Sequence, residues 1–275
     1  MVLSDKEIVH LTKISKGIRQ QILKMIVKAN ASHIASSYSI VELLVYLYEN
    51  ILRIDPKNPS GIQQDKFILS KGWGISALYA ILSYKGFFDK QLLDTYCEND
   101  SKMIGMATRN DIPGIEASTG SIGHGLPIGT GMAMAMKLKK IDRRVYVLMG
   151  DGGCDEGSIW ETALIASHHH LNNLIGIIDY NKWQSFGKTN EVLNLEPLKK
   201  KWEAFNWNVI EIDGHNFQEI AHAIQFSHQS KINPTMIIAH TIKGKGLSII
   251  ENKNEYHYRT PREVELAVAK KEGLI

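Results

Sequence analysis

Two short, nearly unbroken apolar runs constrain this chain most: Arg144-Val145-Tyr146-Val147-Leu148-Met149 and Leu174-Ile175-Gly176-Ile177-Ile178-Asp179. Strands that are apolar on both faces belong to parallel sheets covered on each side by helices. Between them, from about Ser158 to His169, Ile159, Ala163, Leu164 and Ala166 recur at helical spacing. A strand, a helix and a second strand form one crossover, so the strands are predicted parallel with a right-handed connection. The fold class is therefore α/β, a doubly wound, mainly parallel sheet with helices on both faces. Ligands of such sheets bind where the strand carboxyl ends gather.

The flanking sequence agrees. A helix is predicted over Lys6–Ala29, with Ile8, Leu11, Ile14, Ile18, Ile22, Met25 and Ile26 on one face, and a second from about Ser39 to Leu52. Lys66–Ser70 reads as a strand, Lys71–Gly74 as a loop and Ile75–Tyr84 as a helix. Glycines crowd Gly120–Gly131 ahead of a small-residue helix at Thr130–Lys139. A strand at Trp207–Ile212, a helix at Phe217–Gln225, a strand at Thr235–His240 and a helix at Glu263–Lys271 complete the pattern. With no repeat, low-complexity tract or linker, residues 1–275 are expected to form one domain.

Charge narrows the partners. The balance of 32 Lys+Arg against 29 Asp+Glu leaves +3, and the short basic clusters Lys137–Lys140 and Lys199–Lys201 suit solvated helix ends. No nucleic-acid partner is expected. Cys97 and Cys154 are too few for a disulfide framework and read as reduced thiols of a cytoplasmic protein. No signal-like start and no apolar run near the roughly 20 residues of a membrane span are evident, so no membrane partner is expected.

Chemistry concentrates at two strand ends. Asp151 closes the first apolar run, within Gly150-Asp151-Gly152-Gly153, and Asn181 follows the second. If these strands are neighbours, a carboxylate, an amide oxygen and a backbone carbonyl meet, a hard-oxygen set suited to Mg²⁺ or Ca²⁺. Mg²⁺ usually completes its octahedron with phosphate oxygens, and Gly152 and Gly153 let a phosphate approach the backbone. The alternative is that Asp151 only caps a turn; Asn181 at the end of the next strand weighs against it. A dinucleotide site would need Gly-x-Gly-x-x-Gly after an early strand, which is missing; a P-loop fails because Lys182 stands where its first glycine belongs. His168-His169-His170 cannot chelate one ion, since successive helical side chains diverge by about 100°.

Several segments in the same order resemble transketolase. They are Asp55-Pro56-Lys57-Asn58-Pro59, Leu69-Ser70-Lys71-Gly72, Ala77-Leu78-Tyr79-Ala80, the stretch from Pro113 to Leu126, Gly150 to Glu161, and His240-Thr241-Ile242-Lys243-Gly244-Lys245-Gly246. The likeness is to the N-terminal, thiamine-diphosphate-binding half of that family, in the form encoded as a separate subunit. It implies Asp151, Asn181 and the Trp183 carbonyl as metal ligands, and Gly150, Gly152, Gly153, Asn181 and Lys243 at the cofactor. Gly120 and Ile122 match positions at its aminopyrimidine end. Glu156 and Glu161 match carboxylates that couple two active sites, His257 a histidine shared by diphosphate and substrate, and His33 a substrate-facing histidine. His124, in the glycine-rich loop, would touch the cofactor or an opposing subunit.

Two positions depart from the family. Trp73 stands where Ser-Lys-Gly-His has its histidine, and Gly105-Met106 replaces a later Gly-His. Trp73, as a cofactor contact, keeps one donor at a different reach, whereas Met106 offers only a weak acceptor. The resemblance implies transfer of a two-carbon ketol unit from a ketose phosphate to an aldehyde. The departures keep open a 2-oxoacid donor such as pyruvate and a nucleotide-activated sugar acceptor, and a non-catalytic scaffold is a third possibility. Because the family's cofactor-activating glutamate lies in a pyrimidine-binding domain beyond the matched region, a C-terminal transketolase subunit is expected as partner, in an α2β2 heterotetramer.

Overall fold

A computed structural model describes residues 2–110 and 112–275. Five strands, β1 (Lys66–Leu69), β2 (Val145–Gly150), β3 (Leu174–Tyr180), β4 (Asn208–Asp213) and β5 (Thr235–His240), form one parallel sheet in the order β1-β2-β3-β5-β4. Register pairs Leu69 with Leu148, Gly150 with Asp179 and Tyr180 with His240, so their carboxyl ends share one edge.

Alternation along the strands divides the core between the two faces. Leu69, Leu148, Ile177 and Ile237 point to one face, where they pack with α1 (Asp5–Ala29), α2 (Ile34–Tyr38), α3 (Val41–Tyr46) and α4 (Ile75–Tyr84). Ile68, Val147, Ile178 and Met236 point to the other, under α5 (Gly125–Leu138) and α6 (Gly157–His168). The short α7 (Thr189–Val192) and α8 (Leu198–Ala204) precede β4. The segment α9 (Phe217–Gln229) links β4 to β5, and α10 (Glu263–Lys271) follows the last loop. Gly176 leaves room for Met236, whose Cε would lie 2.4 Å from an added Cβ.

Helix α1 runs where its apolar repeat places it. Its start is fixed by a capping box in which Ser4 accepts from the Glu7 amide and the Glu7 carboxylate accepts from the Ser4 amide. The helix expected over Ser39–Leu52 is present from Val41 to Ile51, as α3 and a π turn at Leu47–Ile51, and a break at Ser39-Ile40 separates it from the unexpected short α2. The break serves buried polar groups, because Ser39 Oγ donates to Asp179 and the Tyr38 carbonyl accepts from Arg19. Helix α5 begins five residues before the expected Thr130. Its Pro127 lies in the first turn, where a missing N–H costs nothing.

A second buried group braces the loop after β5. Arg19 bonds both oxygens of Glu42 at 2.6 and 2.8 Å and donates through Nε to the Lys245 carbonyl at 2.7 Å. His215 Nδ1 lies 2.9 Å from Glu42, and its Nε2 accepts from the Ile242 amide at 2.8 Å. Both backbone contacts flank Lys243. Among the described residues, no helix is long and apolar enough to cross a membrane.

Candidate diphosphate and metal site

A cleft of about 270 Å³ opens at the carboxyl edge beside the ends of β2 and β3. Asp151, Asn181 and Trp183 line one part of it, Lys71, His33 and His257 another, and Trp73, Met106 and Ile122 give it an apolar wall. Gly150 and Gly152 are also in the lining.

Adjacent parallel strands bring Asp151 and Asn181 together, as their positions in the sequence predict. Asp151 is 3% exposed. Its Oδ2 accepts from Thr189 Oγ1 at 2.6 Å and from the Lys182 amide at 3.1 Å, and its Oδ1 from the Gly152 amide at 2.9 Å. All three donors are neutral. Burial accordingly pushes the Asp151 carboxyl up to about 6, against the Thr189 hydrogen bond. A buried carboxylate without a bonded cation is a place where a divalent ion removes an electrostatic cost.

Asn181 is oriented by its neighbour on β3. Its Nδ2 donates to Asp179 Oδ2 at 2.9 Å, and its Oδ1 accepts from the Trp183 amide at 3.0 Å. Lys182 takes φ 67°, a left-handed turn that starts a hairpin closed by a bridge between Trp183 and Lys188. The hairpin then returns Thr189 to Asp151. The oxygens of Asp151 and Asn181, with main chain at Trp183, fit a hard cation such as Mg²⁺ or Ca²⁺.

Beneath them Asp179 is fully buried and forms an ion pair with Lys71, itself 1% exposed. Ser39 donates to the same carboxylate at 2.8 Å, and Thr241 hydrogen-bonds its other oxygen. Burial opposes ionisation, but the Lys71 charge and these hydrogen bonds outweigh it and hold the carboxyl below its ordinary value.

The cationic side of the cleft contains two imidazoles without charge. Burial, reinforced by Lys243, His33 and Lys71, pushes His257 down to about 3; burial, with Lys71 and Lys243, pushes His33 down to about 4. Their rings meet edge to face, 5.1 Å apart. Lys243 Nζ lies 3.1 Å from His257 Nδ1, and burial together with Lys71 pushes its ammonium down to about 8. An ammonium donating to Nδ1 leaves the imidazole proton on Nε2. His33 itself sits at φ 71°, with its amide bonded to the His257 carbonyl at 3.0 Å.

Other expected residues lie around the cleft. Lys243 stands behind His257, and Gly153 is buried in the turn after Asp151. Gly120, at φ 135°, approaches Gly72, and Met106 Sδ fills the space 2.3 Å from where its Cβ would be. Glu156 caps the start of α6 against Gly123 and does not line the cleft, so no contact with reacting groups within this chain follows for it. Glu161 and His124 are exposed, and His124 Nδ1 lies 3.0 Å from the Ile122 carbonyl. His168 and His169 present rings at 80° to each other, and no group of three His, Cys, Asp or Glu able to hold a metal occurs among the described residues. Sequence reasoning missed the parts that Asp179 and Thr189 play. Asp179 alone carried a signal, as a charge within an apolar strand.

A parallel sheet whose adjacent strand ends present hard oxygens, next to buried lysines and neutral imidazoles, defines an α/β protein with a polar cleft of the kind that takes a phosphate group at its carboxyl edge. The family described as "Transketolase, thiamine diphosphate binding domain" matches residues 11–273, and the chain belongs to it. It is 40% identical over 247 residues to an apulose-4-phosphate transketolase subunit of Phocaeicola vulgatus, covering 90% of this chain and 88% of that one. It is 42% identical over 240 residues to the 6-deoxy-6-sulfo-D-fructose transketolase subunit SqwG of Clostridium sp. (strain MSTE9), covering 87% of each. Transketolase from Campylobacter jejuni superposes with a TM-score of 0.90 at 28% identity, over 96% of this chain and 42% of that one.

Proposed function

We propose that this chain is the diphosphate-binding subunit of a two-component transketolase, moving a two-carbon ketol unit from a ketose phosphate donor to an aldehyde acceptor. The observation that carries the reading is the placement of Asp151 and Asn181, just beyond the ends of adjacent strands, in the cleft that also contains Lys71, His33 and His257. Asp151, Asn181 and the Trp183 carbonyl would hold Mg²⁺, or Ca²⁺, and Gly152 and Lys243 the diphosphate. Bound thiamine diphosphate supplies the carbon centre that accepts and releases the two-carbon unit. The chain's own part is to neutralise the diphosphate through Lys71, Lys243 and the metal, and to present neutral imidazoles. With Nδ1 facing Lys243, His257 can donate from Nε2 to a substrate oxygen; His33, beside it, can exchange a hydroxyl proton.

A C-terminal subunit would supply the pyrimidine-binding domain, in an α2β2 assembly in the cytoplasm. The P. vulgatus and Clostridium relatives, each named as one subunit of a transketolase, support a divided enzyme. The test mixes the chain with a C-terminal transketolase subunit, thiamine diphosphate and Mg²⁺, and follows ketose phosphate consumption. Activity only in the mixture is expected. Turnover by this chain alone refutes the partner requirement, and a mixture that binds cofactor but consumes no donor refutes the reaction.

One observation favours a second reading. Trp73, Met106 and Ile122 give the cleft an apolar wall, and a wall that offers a hydroxyl no strong partner does not by itself reject a donor that lacks one. Pyruvate replaces the ketose phosphate in the same mixture. Its consumption in place of the sugar, with release of CO2 and addition of the two-carbon unit to the aldehyde acceptor, would establish two-carbon transfer from a 2-oxoacid.

A further inference from the structure

Asn254 lies on the 3₁₀ turn Asn254–His257, beyond the loop that carries Lys243. Its Oδ1 accepts from Lys243 Nζ at 2.8 Å, and its Nδ2 donates to the Ser185 carbonyl at 3.0 Å. The two contacts dictate the orientation of the amide, since an ammonium only donates and a carbonyl only accepts. Ser185 belongs to the hairpin that starts at Asn181, bears Trp183 and returns Thr189 to Asp151. Lys243 in turn touches His257.

We propose that Asn254 is a positioning residue, whose single amide ties the Lys243 ammonium to the Trp183–Lys188 hairpin and so holds the cationic and metal-bearing sides of the cleft in one arrangement. The inference deepens the proposed diphosphate site but rests on these contacts alone. An amide suits the task because it is neutral. It fixes the ammonium without cancelling a charge that the cleft directs at an anion. A carboxylate here would match the ammonium in shape, discharge it, and set an oxygen against the Ser185 carbonyl.

Charged and titratable groups face Lys243 from several elements. They are His257 on the same turn as Asn254, His33 before α2, Lys71 after β1, and more distantly Asp151 after β2 and Asp179 on β3. Lys71 and burial favour the neutral amine, while Asp151 and Asp179 oppose this. Substitutions at Asn254 leave all of them in place.

The test titrates the Lys243 side chain in the full-length protein by NMR of ¹³Cε-labelled lysine, assigned through Lys243→Arg, and follows amide hydrogen exchange at Gln184 and Thr189. Asn254→Asp is expected to raise the Lys243 midpoint by about one pH unit or more. Asn254→Leu, which removes an acceptor and adds no charge, is expected to lower it. Both should speed exchange in the hairpin. If Asn254→Leu does not fold, Asn254→Ala replaces it with the same expected sign. Opposite midpoint shifts with faster exchange in both variants support the proposal. Shifts in the same direction, an unmoved midpoint, or unchanged hairpin exchange overturn it. The measurement needs neither cofactor, partner nor substrate, so its failure is separable from failure of the ketol-transfer reading.

Discussion

Replacing Asp179 by asparagine tests the account of what holds the cleft together. The side chain keeps its shape and loses its charge, leaving the Lys71 ammonium 1% exposed with no counterion bonded to it. Removing one partner of a buried ion pair costs about 3–5 kcal/mol, because the other charge stays buried. At roughly 2 °C per kcal/mol for a chain of this size, the midpoint should fall by about 6–10 °C. Urea unfolding at pH 7, followed by far-ultraviolet circular dichroism, gives the free energy directly. Lys71→Met should cost a similar amount, and the double variant much less than the sum, since neither charge remains to be desolvated. A loss below about 1 kcal/mol, or strict additivity in the double variant, would refute the argument.

Three further outcomes follow from the same contacts. The Asp151 carboxyl is raised to about 6 in the fold, so the metal-free chain is most stable below pH 4 as far as this group is concerned and loses that contribution as pH rises through 6; Asp151→Asn should remove this pH dependence while abolishing Mg²⁺-dependent cofactor binding, as read by urea unfolding and calorimetric titration. Thr189→Val removes the 2.6 Å donor to Asp151 and should weaken Mn²⁺ binding about 10–100-fold, measured by electron paramagnetic resonance, with Thr189→Ser restoring most of it. His33 and His257, lowered to about 4 and 3, should show no imidazole titration by NMR between pH 5.5 and 8; since both are depressed, the stability they contribute is present above the ordinary histidine value near 6.5 and falls as pH drops below it.

Much of the architecture was legible because its signals are local. The runs ending at Met149 and Asp179 predicted two parallel buried strands, and register puts Gly150 opposite Asp179 as that reading requires. The meeting of Asp151 and Asn181 was legible for the same reason: strand order places the residues after β2 and β3 side by side. What remained hidden depends on tertiary partners. Nothing in the apolar spacing announces the short α2 or the break at Ser39-Ile40 ahead of α3, because the break answers to Arg19 and Asp179, both distant in the chain. Thr189 carried no signal in the sequence; only the hairpin shows that it serves Asp151.

Asp179 gathers donors that lie 140, 108 and 62 positions away along the chain, in Ser39, Lys71 and Thr241. Closing contacts of such separation is slow, because chain entropy is lost before any of them is gained. On the ribosome, Ser39 and Lys71 would emerge long before the aspartate, and Thr241 well after it. The charge can therefore be sealed only once the strand preceding Thr241 has docked, which makes completion of the cleft a late event in folding. A chain stalled before that point would have most of its sheet and no working site.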